Sequence, residues 1–328
     1  MTTSKFMKAI EISKFGGPEV CKVMDVPIPR CGKSEVLVKM SHTGINYLDI
    51  YKREGIWGGE LPFILGTEGA GTVESIGTDV TSVAAGDNVV FRGSVTGTYA
   101  EYAVVPAWLT YPLPDDISPE VAVALHLQGM TAHYLVHDVF PMKDTHTCLI
   151  HAGAGGVGHL LIQLAKEKGG HVLTTTGNQE KAEIAKSFGA DEVIISQEYD
   201  FSEAALALTD GQGVDVVFDA VGQATIDGSI ASTKFLGIVV LFGDASGITP
   251  PVETRKLAAK CINLTRVGLM PFVPDQATIK RRCEDLLQLN RDGKLNPMIG
   301  SVRPLTEASK TLKELSERNT HGKLLLTP

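Results

Sequence analysis

Through the first third of the chain, apolar and polar residues alternate in short runs broken by Gly and Pro: Glu35-Val-Leu-Val-Lys-Met40, Gly69-Ala-Gly-Thr-Val-Glu-Ser-Ile-Gly77, Asp87-Asn-Val-Val-Phe91 and Tyr99-Ala-Glu-Tyr-Ala-Val-Val105. A period of two puts successive side chains on opposite faces, so these runs predict the strands of a small, irregular β-rich domain. After about Ser118 the texture becomes helical, and from Thr147 apolar runs alternate with helical patterns. The candidate strands there are Thr147-Cys-Leu-Ile-His151, His171 to Thr176, Glu192 to Ile195, Val214 to Phe218, Gly237 to Phe242 and Ile262 to Arg266. Strands separated by helices predict a parallel sheet covered on both faces, and a set of about six suits a doubly wound dinucleotide fold. The C-terminal remainder, a helical Thr278 to Asn290, a helical Thr306 to Arg318 and a strand Lys323 to Thr327, is too little for another sheet and is expected to return to the first domain.

Between the first two of those strands runs Gly153-Ala-Gly155-Gly156-Val157-Gly158. After it, Val157, Leu160, Leu161, Leu164, Ala165 and Lys168 form a helical stripe that stops at Gly169-Gly170. Strand, glycine turn and helix together make the context in which G-x-G-x-x-G binds a dinucleotide. Gly153 permits the tight turn, Gly155 lets backbone approach a pyrophosphate, and Gly158 lets helix pack on strand. The helix N-terminus then offers N–H groups to the phosphates. An acid at the end of the second strand would hold the ribose 2′-hydroxyl of NAD. Here the strand runs out as Thr174-Thr-Thr-Gly-Asn178 without one, and Lys181 lies just beyond. Gly177, Asn178 and Lys181 therefore point to a 2′-phosphate and to NADPH. The bland alternative for Lys181 is a solvated helical residue between Glu180 and Glu183.

Length and composition narrow the classes further. At 328 residues the chain is expected to hold two domains, and no uninterrupted apolar run reaches the roughly 20 residues of a membrane span. Met1 to Lys14 alternates too evenly for a leader peptide, so the cytoplasm is the expected location. Five scattered cysteines without a C-x-x-C pair suggest neither disulfides nor a zinc knuckle. A formal net charge of -8 argues against nucleic acid as a partner.

Across nearly its whole length the sequence resembles the zinc-less quinone oxidoreductases of the medium-chain dehydrogenase/reductase superfamily, the group that includes zeta-crystallin. The resemblance is carried by Phe15-Gly-Gly-Pro-Glu-Val20, Gly44-Ile-Asn46, Leu65-Gly-Thr-Glu-Gly69, Leu127-Gln-Gly-Met-Thr-Ala132, His151-Ala-Gly-Ala-Gly-Gly-Val-Gly158, Phe218-Asp-Ala-Val-Gly222 and Leu241-Phe-Gly-Asp-Ala-Ser-Gly247. It implies an α/β protein: a GroES-like β-rich catalytic domain from residues 1–125 and 267–328, a Rossmann domain over 126–266, and a homodimer or homotetramer. Where zinc-dependent relatives carry Cys, His and Cys, this chain has Asn46, Thr67 and Gln128, and no Cys lies between Cys31 and Cys148 to build a structural zinc lobe. No metal is expected. The resemblance also implies cofactor contacts. Tyr47 and Tyr51 would border the nicotinamide, with Thr131 and Tyr134 on the following helix. Gly156 and Val157 belong to the pyrophosphate loop, and Gly177, Asn178 and Lys181 to the 2′-phosphate site. Phe242, Gly243, Asp244, Arg266, Val267 and Arg318 match later loops over the cofactor. Ser196 stands where relatives often carry Tyr, and Val267 where Pro is usual.

Without a Lewis acid, a substrate that accepts hydride readily is expected, a quinone or an enone. Asn46, Tyr51 or water would hydrogen-bond the developing oxyanion, although both side chains could equally be structural or cofactor contacts. Two other readings stay open: a 2-alkenal or enone reductase on the same fold, and a noncatalytic NADPH-binding protein of crystallin or RNA-binding type. The stretch Arg53 to Pro62, with glycines and Trp57, is either a gate for a flat ring or an ordinary surface loop.

Overall fold

The computed structural model describes residues 5–57 and 59–328. The first four residues of the stretch read for a leader, and Gly58 of the candidate gate, lie outside the described residues. The chain forms two compact units. The first comprises Met1–Leu127, Val273–Leu287 and Pro297–Pro328, and the second Gln128–Phe272 with Gln288–Asn296. The divisions expected at 125/126 and 266/267 thus fall at Leu127/Gln128 and Phe272/Val273. The segment 288–296, expected in the first domain, groups with the second. There the Gln163 amide holds it from both sides, donating to the Asn296 carbonyl at 3.1 Å and accepting the Asn296 N–H at 2.7 Å.

In the first unit a seven-stranded sheet runs in the order Ile299–Pro304, Lys323–Thr327, Glu35–Ile45, Glu68–Ile76, Asn88–Arg92, Thr110–Pro112, with Tyr102–Pro106 also paired to Glu35–Ile45. The last strand, Lys323–Thr327, pairs with residues from near the start of the chain, Leu324 opposite Ile45 and Leu326 opposite Thr43. A smaller sheet joins Lys22–Pro27, Phe6–Ile12 and Phe63–Ile64. The even alternation near the N-terminus is therefore a strand, with Met7, Ala9, Ile10 and Ile12 turned inward. Its core draws on distant segments: Ile10 and Ile12, Ile45, Leu65, Tyr99, Leu312, and Leu324 with Leu326.

The second unit is a six-stranded, wholly parallel sheet. Its order is Glu192–Ile195, His171–Thr176, Thr147–Ile150, Val214–Asp219, Thr233–Leu241, Asn263–Arg266, or 3-2-1-4-5-6 in chain order. This is the doubly wound dinucleotide arrangement, whose order reverses between the first and fourth strands. Leu149, Leu173, Val217 and Val239, one from each of four adjacent strands, pack with Phe201 and Ile226 in its core. The strand expected from Gly237 begins at Thr233, because its first residues pair Thr233 with Val214 before the register shifts to Val216 opposite Ile238. Among the described residues no helix is long and apolar enough to cross a membrane.

Candidate functional site

In the second unit, strand Thr147–Ile150 delivers the glycine turn to the point where the strand order reverses. Ala152 takes a left-handed conformation (φ 57°), and Gly153 and Gly155 donate to the Thr175 and Ala152 carbonyls at 3.0 and 2.8 Å. The helix Gly158–Glu167 comes next. A Cβ on Gly153 would lie 2.2 Å from Thr174 Oγ1, and one on Gly158 2.2 Å from the Ala152 carbonyl oxygen, so both glycines are required by packing. At Gly156 a Cβ would strike the Gln128 amide, while at Gly155 it would meet only the Ala152 carbonyl, 3.1 Å away. Gly155 is thus the most open position of the motif, as close approach of a phosphate requires. Asp219, fully buried at the end of the fourth strand, accepts from the N–H groups of Val221 and Gly222 and the hydroxyls of Thr225 and Ser229. Buried His151 links Thr175 Oγ1 to Ser229 Oγ at 3.0 Å each. Burial lowers its pKa and the Asp219 charge partly offsets that, so imidazole is held neutral behind the turn.

The second strand ends at Thr176, and the space about a Cβ on Gly177 is open to 4 Å. Asn178 caps the helix Gln179–Ser187 by accepting the Lys181 N–H at 2.9 Å, which fixes Lys181 in the first turn. Ser196 donates its N–H to the Thr176 carbonyl at 2.9 Å and so stands beside this turn, its hydroxyl given to Asp200 at 2.7 Å. Gly177, Asn178, Lys181 and Ser196 are therefore gathered along one sheet edge. Asp200 brings a carboxylate near them that sequence reading did not weigh.

The exits of the fifth and sixth strands also lie together: Phe242 donates its N–H to Asp219 and Val267 to Leu241, both at 2.9 Å. Arg266 clamps Asp244 with two parallel hydrogen bonds, Nη1 to Oδ1 at 2.8 Å and Nη2 to Oδ2, and Thr249 adds its N–H and hydroxyl. Burial would raise the Asp244 pKa, but these donors outweigh it and hold the carboxyl below the usual range. Thr131 and Tyr134 are buried on the helix Pro119–Tyr134, and the Tyr134 ring stacks on Phe272 with centroids 4.3 Å apart.

In the first unit, strand Glu35–Ile45 ends at Asn46, which begins the helix Tyr47–Glu54; its N–H donates to Asp49 Oδ2 at 2.9 Å. Asn46 Nδ2 donates to Glu68 Oε1 at 2.7 Å, and Oδ1 accepts from Lys323 Nζ at 3.1 Å. Lys323 also donates to the Ile45 carbonyl at 3.3 Å and pairs with Glu68 Oε1, while Glu68 Oε2 takes the Leu127 N–H at 3.0 Å. Both charged side chains are fully buried. Thr67 donates to Asp49 Oδ1 and accepts from Lys52 Nζ, each at 3.2 Å, and Tyr99 donates to Asp49 Oδ2 at 2.8 Å. Burial raises the Asp49 pKa against these donors and the Lys52 and Lys323 charges.

Tyr47 and Tyr51 stand one turn apart with ring centroids 6.1 Å apart, and Trp57 continues the row 5.5 Å from Tyr51. The Leu315 carbonyl accepts both the Tyr47 hydroxyl, at 3.2 Å, and the Arg318 N–H, at 3.1 Å, so Tyr47 and Arg318 come together at the end of the helix Ala308–Ser316. Arg318 is left-handed there (φ 60°). Sequence reading missed Glu68, Lys323 and Asp49. The available signal was a charged residue set against an apolar run, as in Gly322-Lys-Leu-Leu-Leu326.

Comparison with known proteins agrees with this division of labour. Residues 32–115 match the family described as alcohol dehydrogenase GroES-like domain, and residues 156–280 the one described as zinc-binding dehydrogenase. A probable quinone oxidoreductase of Schizosaccharomyces pombe is 34% identical over 97% of this chain and 96% of its own. The chain belongs to the zinc-less quinone oxidoreductases of the medium-chain dehydrogenase/reductase superfamily. Another relative, a 2-haloacrylate reductase of a Burkholderia species, is 32% identical over 98% of each chain. A mycobacterial protein solved in complex with NADPH superposes with a TM-score of 0.95 at 40% identity, covering 98% of this chain and all of its own. Despite the second family's description, this quinone oxidoreductase family member presents amide and hydroxyl oxygens at Asn46, Thr67 and Gln128. Among the described residues no group of three or more His, Cys, Asp or Glu could hold a metal ion.

Proposed function

We propose that this protein is an NADPH-dependent quinone oxidoreductase that works without zinc. The observation that carries the reading is the end of the second strand: an open Gly177, a capping Asn178 and a helical Lys181, with no acid on the Thr176-Gly-Asn178 turn where NAD would need one. The residues fit the cofactor, since a side chain on Gly177 would occupy open space and one on Gly155 would meet only Ala152. Bound NADPH supplies the hydride.

The chain's own residues bind and orient. Gly153, Gly155, Gly156, Val157 and Gly158 cradle the pyrophosphate at the helix N-terminus. Gly177, Asn178, Lys181 and Ser196 receive the 2′-phosphate, Lys181 by charge. Thr131, Tyr134, Phe242, Gly243, Asp244, Arg266, Val267 and Arg318 fix the rest of the dinucleotide, with Tyr47 and Tyr51 beside the nicotinamide. The Asp244–Arg266 clamp keeps its loop rigid. Tyr51 hydrogen-bonds the developing oxyanion. Asn46 belongs to the same site, and its amide is oriented by Glu68 and Lys323.

The test is NADPH oxidation with 1,4-benzoquinone, 9,10-phenanthrenequinone and an enal, repeated with NADH. Quinone turnover that prefers NADPH is expected. A strong NADH preference, or no quinone turnover, overturns the reading. Faster reduction of the enal would favour the second reading, an enone reductase, which the 2-haloacrylate reductase relative supports. The protein is further proposed to be a cytoplasmic homodimer or homotetramer, and sedimentation would count its subunits.

A further inference from the structure

Three cationic side chains flank the helix Tyr47–Glu54, Lys323 beside its Asn46 cap and Lys52 and Arg53 in its last turn, and their bonding differs sharply. Lys323 has three acceptors, the Ile45 carbonyl, Asn46 Oδ1 and Glu68 Oε1, which use all the N–H bonds an ammonium has. Arg53, buried, is tied to the Gly16 carbonyl and to Glu54. Lys52 is different. Its ammonium donates once, to Thr67 Oγ1 at 3.2 Å, and no other protein acceptor receives it among the described residues. Two of its three N–H bonds are available to a ligand.

Lys52 is also half-buried in the wall of a groove of about 510 Å³ within the first unit, in the size range of small-molecule sites. Pro27, Phe63, Ile64 and Val95 supply apolar wall for a flat ring, and Glu11 and Glu60 are the acids of the lining. Behind the ammonium, Thr67 passes a hydrogen bond to Asp49, which Tyr99 and the Asn46 N–H hold in place. The cation is thus oriented from one side and presented from the other.

We propose that Lys52 is the group that protonates the reduced substrate, binding a quinone or enone carbonyl oxygen in this groove. This rests on the function proposed above. Hydride from the reduced nicotinamide dinucleotide adds two electrons and one hydrogen to a quinone, leaving a hydroquinone monoanion and the oxidised nicotinamide. The oxyanion takes a proton from the Lys52 ammonium: an O–H bond forms, an N–H bond breaks, and the lone pair stays on the amine. Water entering the groove returns a proton to the amine and leaves as hydroxide, which the medium neutralises, so that each turnover consumes one proton from solvent. Lys52 supplies to the oxyanion the positive charge that a metal supplies in Lewis-acid reductions.

The test uses 2-hydroxy-1,4-naphthoquinone, whose ionised form is coloured, titrated with pH in the presence of saturating protein. The parent should ionise the bound probe about one pH unit lower than Lys52→Met does, as expected when an opposite charge lies within a few ångströms. In this titration Lys52→Arg, which keeps the charge, should behave as the parent does. For quinone reduction Lys52→Met should lower kcat roughly 100-fold, the usual contribution of a general acid, with KM for NADPH unchanged. Because Lys52 is half exposed, unaltered tryptophan fluorescence and melting will show that the variant folds. Quinone turnover in the parent with no response of probe or kcat to Lys52→Met overturns the role of Lys52 and leaves the function standing. No quinone turnover in the parent overturns both the function and the proton-donor role, and a probe response would then show an anion contact alone.

Discussion

Replacing Lys323 by Met should destabilise the first unit severely, and the reason lies in the burial of its partner. Neither Lys323 nor Glu68 exposes any side-chain surface. The methionine keeps the apolar volume of the stem but leaves the Glu68 carboxylate with the Asn46 amide, the Leu127 N–H and the charge of Arg92, without its directly bonded ammonium. Removing one member of a buried ion pair costs about 3–5 kcal/mol, because the remaining charge stays desolvated. Glu68→Gln should cost a similar amount from the other side. In the double variant neither member of the pair is left facing a missing partner, and Arg92 loses the nearby carboxylate just as it does in Glu68→Gln, so the further loss reduces to a few hydrogen bonds at about 1 kcal/mol each. The two changes should therefore be strongly non-additive. Urea unfolding can read this cleanly, since both tryptophans, Trp57 and Trp108, lie in the first unit and their fluorescence reports on it alone. With a slope near 2 kcal/mol per molar urea, the single variants should unfold roughly 2 M earlier than the parent. A loss below about 1 kcal/mol for Lys323→Met, or a double variant that costs the sum of the singles, would refute the reasoning.

Other consequences are open to simple tests. Lys181→Ala should raise KM for NADPH roughly tenfold or more and leave NADH kinetics unchanged, since a hydrogen bond to a charged group contributes about 1.5–3 kcal/mol; equal effects on both cofactors would remove Lys181 from the 2′-phosphate. Gly158→Ala should lower the melting temperature of the second unit, its Cβ 2.2 Å from the Ala152 carbonyl oxygen, whereas Gly155→Ala should fold normally and lose NADPH affinity. Burial, with Arg92 and Lys323 nearby, pushes the His126 pKa from 6.5 down to about 3. The unfolded chain therefore binds a proton over that window that the folded one refuses, so stability falls as pH drops from about 6.5 toward 3. The urea midpoint measured against pH should show this slope, and His126→Phe should flatten it.

Segments with strong local patterns were readable to the residue. His171–Thr176 and Glu192–Ile195 are β-branched runs bounded by Gly, Asp or a polar turn, and the strands occupy those residues. The glycine turn could also be assigned from its strand, turn and helix context, where Gly155 and Gly158 answer to Ala152, although the contacts of Gly153 with Thr174 and of Gly156 with Gln128 come from elsewhere in the chain. Thr233–Leu241 was half legible. Its start contains Lys234 and a left-handed Leu236, so local pattern favoured Gly237, while pairing with Val214 extended the strand backward. The buried ion pair could be read at most as a lone charge against the apolar run at Lys323, never as a pair. Glu68 and Lys323 stand 255 residues apart, and nothing in the composition around either announces the other. Lys52 is inconspicuous for a related reason: a lysine in the last turn of a helix is ordinary, and its interest comes from Thr67 and the groove.

The pairing of Lys323–Thr327 with Ile45, Gly44 and Thr43 sets an order on biosynthesis. A ribosome makes the Asn46 end of the helix early, yet the ammonium that orients its amide is added some 277 residues later. The parallel sheet lies wholly within that interval and can close while the chain is still tethered. The nascent protein should thus acquire a nucleotide fold before it has a finished reductive apparatus, and a ribosome stalled short of residue 323 would display a folded middle flanked by an unsealed β-sheet.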